Sequence, residues 1–336
     1  MNSQTDTTYF SSLDFLKAFA MFAVINNHIT VPLFKVSYSI YSVTLFIFVA
    51  GMTSVISVEK SNFEYSPYLK KKFLPLISWY LFALVAYIFI EQRFFSFNFF
   101  LHELRTFGLE VSNGHLYYLA FYSELMLISP FIVKLYSCRN ANIIKNFLLL
   151  CISIILSFFF YRYTHIEGLA LASQYVLGGS YFFVLNIGIF YWVNIKKFLV
   201  SIVSNIFCLV FSIFLFVYFQ KNNYIDLSWS NPPNLYTIFY TLIIFFFLNS
   251  LHNLLISLFE KLNLNTKSIF LPIFIVGKNS LYIYLFHMVI VEIIDKNNVS
   301  GTIIIKLLGY IGCLYLPILF VFIVKKMLSK IQTDIS

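Results

Sequence analysis

Three histidines occupy settings in which an imidazole could do chemistry. His28 closes a segment that opens Leu13-Asp14-Phe15-Leu16-Lys17, continues through an apolar stretch and ends Asn26-Asn27-His28. His115 opens Gly114-His115-Leu116-Tyr117-Tyr118-Leu119, and His287 ends Gly277-Lys278-Asn279-Ser280-Leu281-Tyr282-Ile283-Tyr284-Leu285-Phe286-His287. An imidazole exchanges a proton near neutral pH and can act as a general base toward a hydroxyl. In a helix, the interval from Lys17 to His28 is close to three whole turns, so both side chains point the same way about 16 Å apart. Asp14 falls near that face, one turn before Lys17. A cation at one end of a helix face and an imidazole at the other suit a long, thin ligand with an anionic head, and coenzyme A has that shape. The same residues also fit a plainer arrangement, in which Asp14 and Lys17 form an i,i+3 ion pair at a membrane edge and His28 finishes the helix.

Two further groups bear on this chemistry. Glu124 follows His115 in a run that continues to Ser129-Pro130, and a carboxylate at bilayer depth requires a partner. It would orient a base, relay a proton or make a structural hydrogen bond. Lys70-Lys71-Lys72 precede Phe73-Leu74-Pro75 and would bind phosphates as point charges, besides anchoring the topology. His102, His165 and His252 have no supporting neighbours, and no His, Cys, Asp or Glu grouping has metal-ligand spacing, so no metal is expected. Cys138 lies in a loop, while Cys151, Cys208 and Cys313 fall inside apolar runs; all four read as structural.

These residues must be positioned by membrane helices. Of the 336 residues 60% are hydrophobic and 11% charged, whereas an ordinary soluble domain has roughly 45–50% and about 25%. That balance excludes a soluble globule, a disordered chain, a disulfide scaffold and a nucleic-acid binder. A spanning backbone must satisfy its own hydrogen bonds, and about 20 apolar residues in a helix cross the hydrocarbon core. Ten such runs occur, at about 13–31, 38–58, 73–90, 115–135, 146–161, 176–193, 198–219, 235–258, 270–294 and 302–324. Gly277, Lys278 and Asn279 interrupt the ninth, which reads as a re-entrant piece followed by a shorter helix. The first dozen residues carry no Lys or Arg and no small-residue cleavage site, so the first run is expected to remain as a span.

Cytoplasmic loops collect Lys and Arg. With the N-terminus inside, fourteen of the 23 lie in cytoplasmic segments, six lie outside, and Lys17, Lys278 and Lys306 fall within spans. Both termini are therefore expected in the cytoplasm. The chain shows no internal repeat and no loop large enough for a separate domain, so residues 1–336 read as one all-α membrane domain surrounded by lipid. Ser230-Asn231-Pro232-Pro233 reads as turn chemistry.

At these residues the sequence resembles the acyltransferase-3 family, multi-spanning membrane acyltransferases that modify bacterial cell-surface glycans. Leu13-Asp14-x-x-Lys17 with His28 after ten intervening residues is similar to the family's first-helix basic-x10-His pattern. His115-Leu116-Tyr117-Tyr118-Leu119 through Pro130 resembles its His-Leu-aromatic-aromatic-Leu…Pro helix, and Asn279 through His287 resembles its late Ser-Leu-x-Ile-Tyr-Leu-x-His helix. The likeness covers nearly the whole chain and departs at two places. Lys17 stands where the family usually has Arg, and Lys72-x-x-Pro75 stands for its Arg-x-x-Pro; Lys keeps the charge and loses the bidentate fork. The likeness is to the short stand-alone members, so no extra C-terminal esterase-like domain of the kind some members carry is expected.

The resemblance implies transfer of an acyl group, usually acetyl, from cytoplasmic acyl-CoA to a hydroxyl of a cell-surface or lipid-linked polysaccharide at the bacterial inner membrane. His28 would be the general base or, less simply, an acyl carrier. His115, His287 or Glu124 would orient it or handle its proton. Lys17, beside Asp14, and Lys70, Lys71 and Lys72 would hold the phosphates of acetyl-CoA. Competing expectations from the sequence are a transporter or flippase of lipid-linked glycan, or a glycan polymerase. A transporter commonly shows repeated halves and paired broken helices, and a polymerase a large external loop.

Overall fold

The computed structural model describes residues 3–29, 36–92, 96–106, 116–137, 142–169, 171–196, 201–227, 230–296 and 303–335. Their regular structure is helical, with a lone bridge between His165 and Tyr175. The helices are α1 (Ser3–His28), α2 (Ser42–Lys60), α3 (Tyr65–Gln92), α4 (Phe97–Thr106), α5 (Tyr117–Ser137), α6 (Ile143–Tyr163) and α7 (Tyr181–Phe190). They continue with α8 (Ile202–Lys221), the short α9 (Tyr224–Leu227), α10 (Leu235–Lys261), α11 (Thr266–Lys278), α12 (Ser280–Lys296) and α13 (Ile303–Ile335).

Among the described residues, seven helices, namely α2, α3, α5, α6, α8, α10 and α13, are long and apolar enough to cross a membrane. The pair α11–α12, bent by 75°, makes an eighth span if taken as one. The ten expected spans are thus met by seven or eight on length and composition. Of the other two, one falls on α1 and one on α7. The α7 run starts later than expected and stays short: it is helical over Tyr181–Ile195, and its last turn, Tyr191–Ile195, widens to a π-helix. Ahead of it Leu177, Gly178 and Gly179 hold φ of +55°, +65° and +61°, conformations that cannot continue a right-handed helix. In contrast, α3 starts at Tyr65, before the apolar run itself, so Lys70, Lys71 and Lys72 are helical. The loop expected at about 91–114 contains α4.

Local chemistry explains where several helices begin. Asn142, Ser201 and Asn234 cap α6, α8 and α10 by accepting from the backbone N–H groups of Ile144, Ser204 and Thr237. Pro75, Pro130, Pro272 and Pro317 lie inside helices, where neighbouring groups in a membrane bundle can re-satisfy the freed carbonyls.

The chain forms two compact units, residues 40–266 and a second unit joining Met1–Ser39 to Lys267–Ser336. In the first unit, Gly51 of α2 and Gly188 of α7 lie back to back. A Cβ on Gly188 would run into the carbonyl oxygen of Phe48, and one on Gly51 into that of Leu185. Small residues let two backbones come this close where no water drives association. Interhelical amides supply direction: Asn146 of α6 donates to Asn194 at 3.0 Å, and Asn253 of α10 donates to Asn205 of α8 at 3.1 Å. In the second unit α1, α11, α12 and α13 pack together, with a 3-10 turn (Val36–Ser39) attached to α1 by Asn26 Nδ2 donating to Ser39 Oγ at 2.8 Å.

The α2–α7 crossing gives a direct test. Gly188→Ala should cost about 1–3 kcal/mol, the usual penalty of overpacking, and lower the thermal unfolding midpoint of the detergent-solubilised protein. An unchanged midpoint would show that the two backbones do not touch at this point.

Candidate active site

The discontinuous-chain unit holds His28, His287, Lys17 and Asp14. His28 is the last residue of α1 and is exposed, whereas His287 lies in the middle of α12 with 0% exposure. Their ring centroids are 5.2 Å apart and the rings are inclined by 54°. Residues 259 positions apart in the sequence thus place two imidazoles side by side.

The surroundings of His287 set its tautomer. Nδ1 lies 2.9 Å from the carbonyl oxygen of Tyr284 and 3.1 Å from that of Ile283, both acceptors of its own helix. Nδ1 therefore carries the proton, and the lone pair of the ring is on Nε2. Its tautomer and tilt are fixed from within α12, and His28 is the exposed ring of the two.

At the other end of the face, Lys17 Nζ meets Asp14 Oδ1 at 2.6 Å, with side chains 24% and 13% exposed. The pair is the local i,i+3 bridge that the sequence allows. Between Lys17 and His28, Met21 and Ile25 continue the same face and are both 0% exposed. Gly277 rests on this end of α1: a Cβ there would overlap the carbonyl oxygen of Asp14, so glycine is required for the contact. The break between α11 and α12 consequently lies against the ion-paired turn.

Asn279 bridges that break. Its Nδ2 donates to the carbonyl oxygen of Ile275 at 2.8 Å, and its own carbonyl accepts from Tyr282 and Ile283 at 3.0 and 3.1 Å. The backbone N–H of Asn279 also donates to the Ile275 carbonyl, at 3.2 Å, so the side chain adds a second donor to that carbonyl where the chain turns. Lys325 of α13 donates to Tyr282 Oη at 2.8 Å and lies 4.6 Å from the centre of that ring, tying the start of α12 to α13.

The remaining nominated residues belong to the other unit. Glu124 Oε2 accepts from the backbone N–H of Leu177 at 2.6 Å and so holds the left-handed turn Leu177–Gly179. In this conformation the carboxylate has a structural hydrogen bond. Lys70 and Lys71 are exposed and Lys72 is half-buried in the second turn of α3. His115 lies outside the described residues. His252, which sequence reasoning set aside, is 1% exposed in α10, with Nδ1 3.4 Å from Asn253 Oδ1. Among the described residues, no three His, Cys, Asp or Glu side chains are grouped as a metal site requires. Sequence reasoning singled out the Gly277–Asn279 interruption but missed the contact of Gly277 with Asp14, as well as Tyr282 and Lys325. A glycine followed by polar residues inside an apolar run is the signal for the first; nothing local marks the others.

The fold and the site define the class: a multi-pass helical membrane protein with two imidazoles paired at the end of α1 and an ion pair three turns away. A family model described as an acyltransferase domain matches residues 10–324, and the chain belongs to the acyltransferase-3 family. No curated protein and no solved structure matches it.

The contact at Gly277 can be tested apart from any activity. Gly277→Ala should push α11 off α1 and destabilise the protein by about 1–3 kcal/mol, read as a lowered unfolding midpoint in detergent. Wild-type stability for this variant would separate the break from the Asp14–Lys17 turn.

Proposed function

We propose that the protein is an O-acyltransferase of the bacterial inner membrane, moving an acyl group, acetyl in the simplest case, from cytoplasmic acyl-CoA to a hydroxyl of a cell-surface or lipid-linked polysaccharide. The observation that carries this reading is the His28–His287 pair, with Lys17 on the same face of α1. Family membership supplies acyl transfer as the class of reaction.

In this reading the exposed ring of His28 removes the proton of the acceptor hydroxyl as its oxygen attacks the thioester carbonyl. A carbon–oxygen bond forms, the carbon–sulfur bond breaks, and the thiolate leaves with the electron pair of that bond. The proton held by His28 returns to the departing sulfur. His287, its Nδ1 proton committed to backbone carbonyls, presents a fixed neighbour of constant tautomer and orients His28. Lys17 attracts the donor's phosphates, and Asp14 holds the ammonium in place until they arrive. Lys70, Lys71 and Lys72 are assigned to phosphate binding by their charge alone, and both termini lie in the cytoplasm, as the loop charges favour. Glu124 has the structural role of anchoring the Leu177–Gly179 turn.

The discontinuous α11–α12 pair is a feature shared with transporters of lipid-linked glycans. That alternative differs in outcome: loss of function would remove polymer from the surface, whereas loss of a transferase leaves polymer that lacks ester groups.

His28→Ala should lower acyl transfer by about 10²–10⁴-fold, the usual contribution of a general base, with abundance and membrane insertion unchanged. Ester content of the purified surface polymer and turnover of acyl-CoA by the purified protein are the measurements; a fully active variant would refute the mechanism. Because the base must be neutral, the wild-type rate should rise with pH through its titration and then level off. Lys17→Ala should raise KM for acyl-CoA by roughly tenfold or more, the cost of one charge-assisted hydrogen bond, and leave KM for the acceptor unchanged. A change confined to the acceptor would overturn the assignment of the two ends.

A further inference from the structure

The segment Gly309-Tyr310-Ile311-Gly312-Cys313 of α13 touches both histidine-bearing helices near the imidazole pair. Tyr310 Oη donates to the backbone carbonyl oxygen of Phe22 in α1 at 2.8 Å, fewer than two turns before His28. Cys313 Sγ donates to the backbone carbonyl oxygen of His287 itself at 3.6 Å, and the thiol is fully buried. Tyr310 and Cys313 are three residues apart and share a helix face. Gly309 and Gly312 let α13 come close: a Cβ on Gly309 would press on Ile294 of α12 and come within 3.5 Å of Ile29, the residue after His28, and one on Gly312 would meet Ile290 at 3.7 Å.

Apolar packing between α1 and α12 is non-directional and leaves the two helices free to slide along one another. A hydrogen bond is directional and fixes a position along the axis. Tyr310 fixes α1 and Cys313 fixes α12, each relative to the same turn of α13. We infer that this segment is the clip that sets the spacing of the two imidazoles, with Tyr310 and Cys313 as positioning residues acting through the backbones that carry His28 and His287. Its kinetic consequence rests on the acyl-transfer reading of the same site; the clip itself is a matter of structure and can be measured without any reaction.

The test uses the full-length protein with Cys138, Cys151 and Cys208 replaced by Ser, which leaves the Cys313 thiol as the sole target of a membrane-permeant maleimide. Tyr310→Phe removes one hydroxyl and keeps the ring. It is expected to speed Cys313 alkylation about fivefold, the equivalent of one net hydrogen bond, and to lower kcat by a similar factor with KM for acyl-CoA unchanged. Cys313→Ser, which retains a donor, should keep wild-type kcat, and Cys313→Ala should lose kcat as Tyr310→Phe does. Alkylation at the wild-type rate in Tyr310→Phe would overturn the clip. Faster alkylation with unchanged kcat, or with the loss confined to KM, would overturn its role in positioning the pair. Should the wild-type protein transfer no acyl group, the proposed reaction fails, and the alkylation rate still decides the clip.

Discussion

A backbone inside a bilayer cannot leave its amides and carbonyls without partners, and the organisation of this site follows from the one nominated place where the helix is interrupted. Between α11 and α12 the regular ladder stops and the chain turns by 75°. Asn279 keeps the backbone satisfied across the turn: its N–H donates to Ile275, its carbonyl accepts from Tyr282 and Ile283, and its side chain adds a second bond to Ile275. Each unmet group would cost several kcal/mol in hydrocarbon, and around Asn279 these bonds leave none. The consequence of the turn lies further along: α12 leaves the break in a direction of its own, and seven residues beyond its first residue His287 reaches the ring of His28.

The same economy governs the charges. Lys17 and Asp14 neutralise each other at 2.6 Å while remaining partly exposed, so neither ion bears the full cost of burial. A pair of this kind is worth little to stability when water reaches it. Glu124 shows the opposite case. Its carboxylate is committed to the N–H of Leu177, a residue in the left-handed region, and loss of that acceptor would leave the amide of a tight turn unmet. Asp14 and Glu124 are both acidic residues of helices, and their partners differ: an ammonium for one, a backbone amide for the other.

Much of this was legible in the sequence because it is local. Apolar runs of membrane length give most of the helices, the interruption at Gly277-Lys278-Asn279 gives the broken pair, and helical periodicity puts Lys17 and His28 on one face of the continuous α1. What periodicity does not encode is which helices are neighbours. Gly51 and Gly188 look like ordinary glycines until the two backbones are brought together, and Tyr310 meets Phe22 across 288 residues of chain. The late start of α7 was hidden for a different reason. Tyr175 through Gly179 is apolar enough to pass as helix, but the left-handed conformations of Leu177, Gly178 and Gly179 are imposed by the fold around them, including the packing of Gly178 on Phe121 and the hydrogen bond from Leu177 to Glu124.

One geometric consequence bears on the acyl-transfer reading. A donor with its phosphates at Lys17 and its thioester at His28 spans the intervening face of α1, and that face is occupied by Met21 and Ile25, both fully buried. The chain linking the two ends is thin, but it still needs the volume these side chains fill. Ile25 is β-branched and held to one rotamer on a helix. Met21, unbranched and with three rotatable bonds, is the side chain that can vacate space at least cost. In the proposed transfer, donor binding would require motion of Met21, and part of the donor's binding energy would go into opening that path.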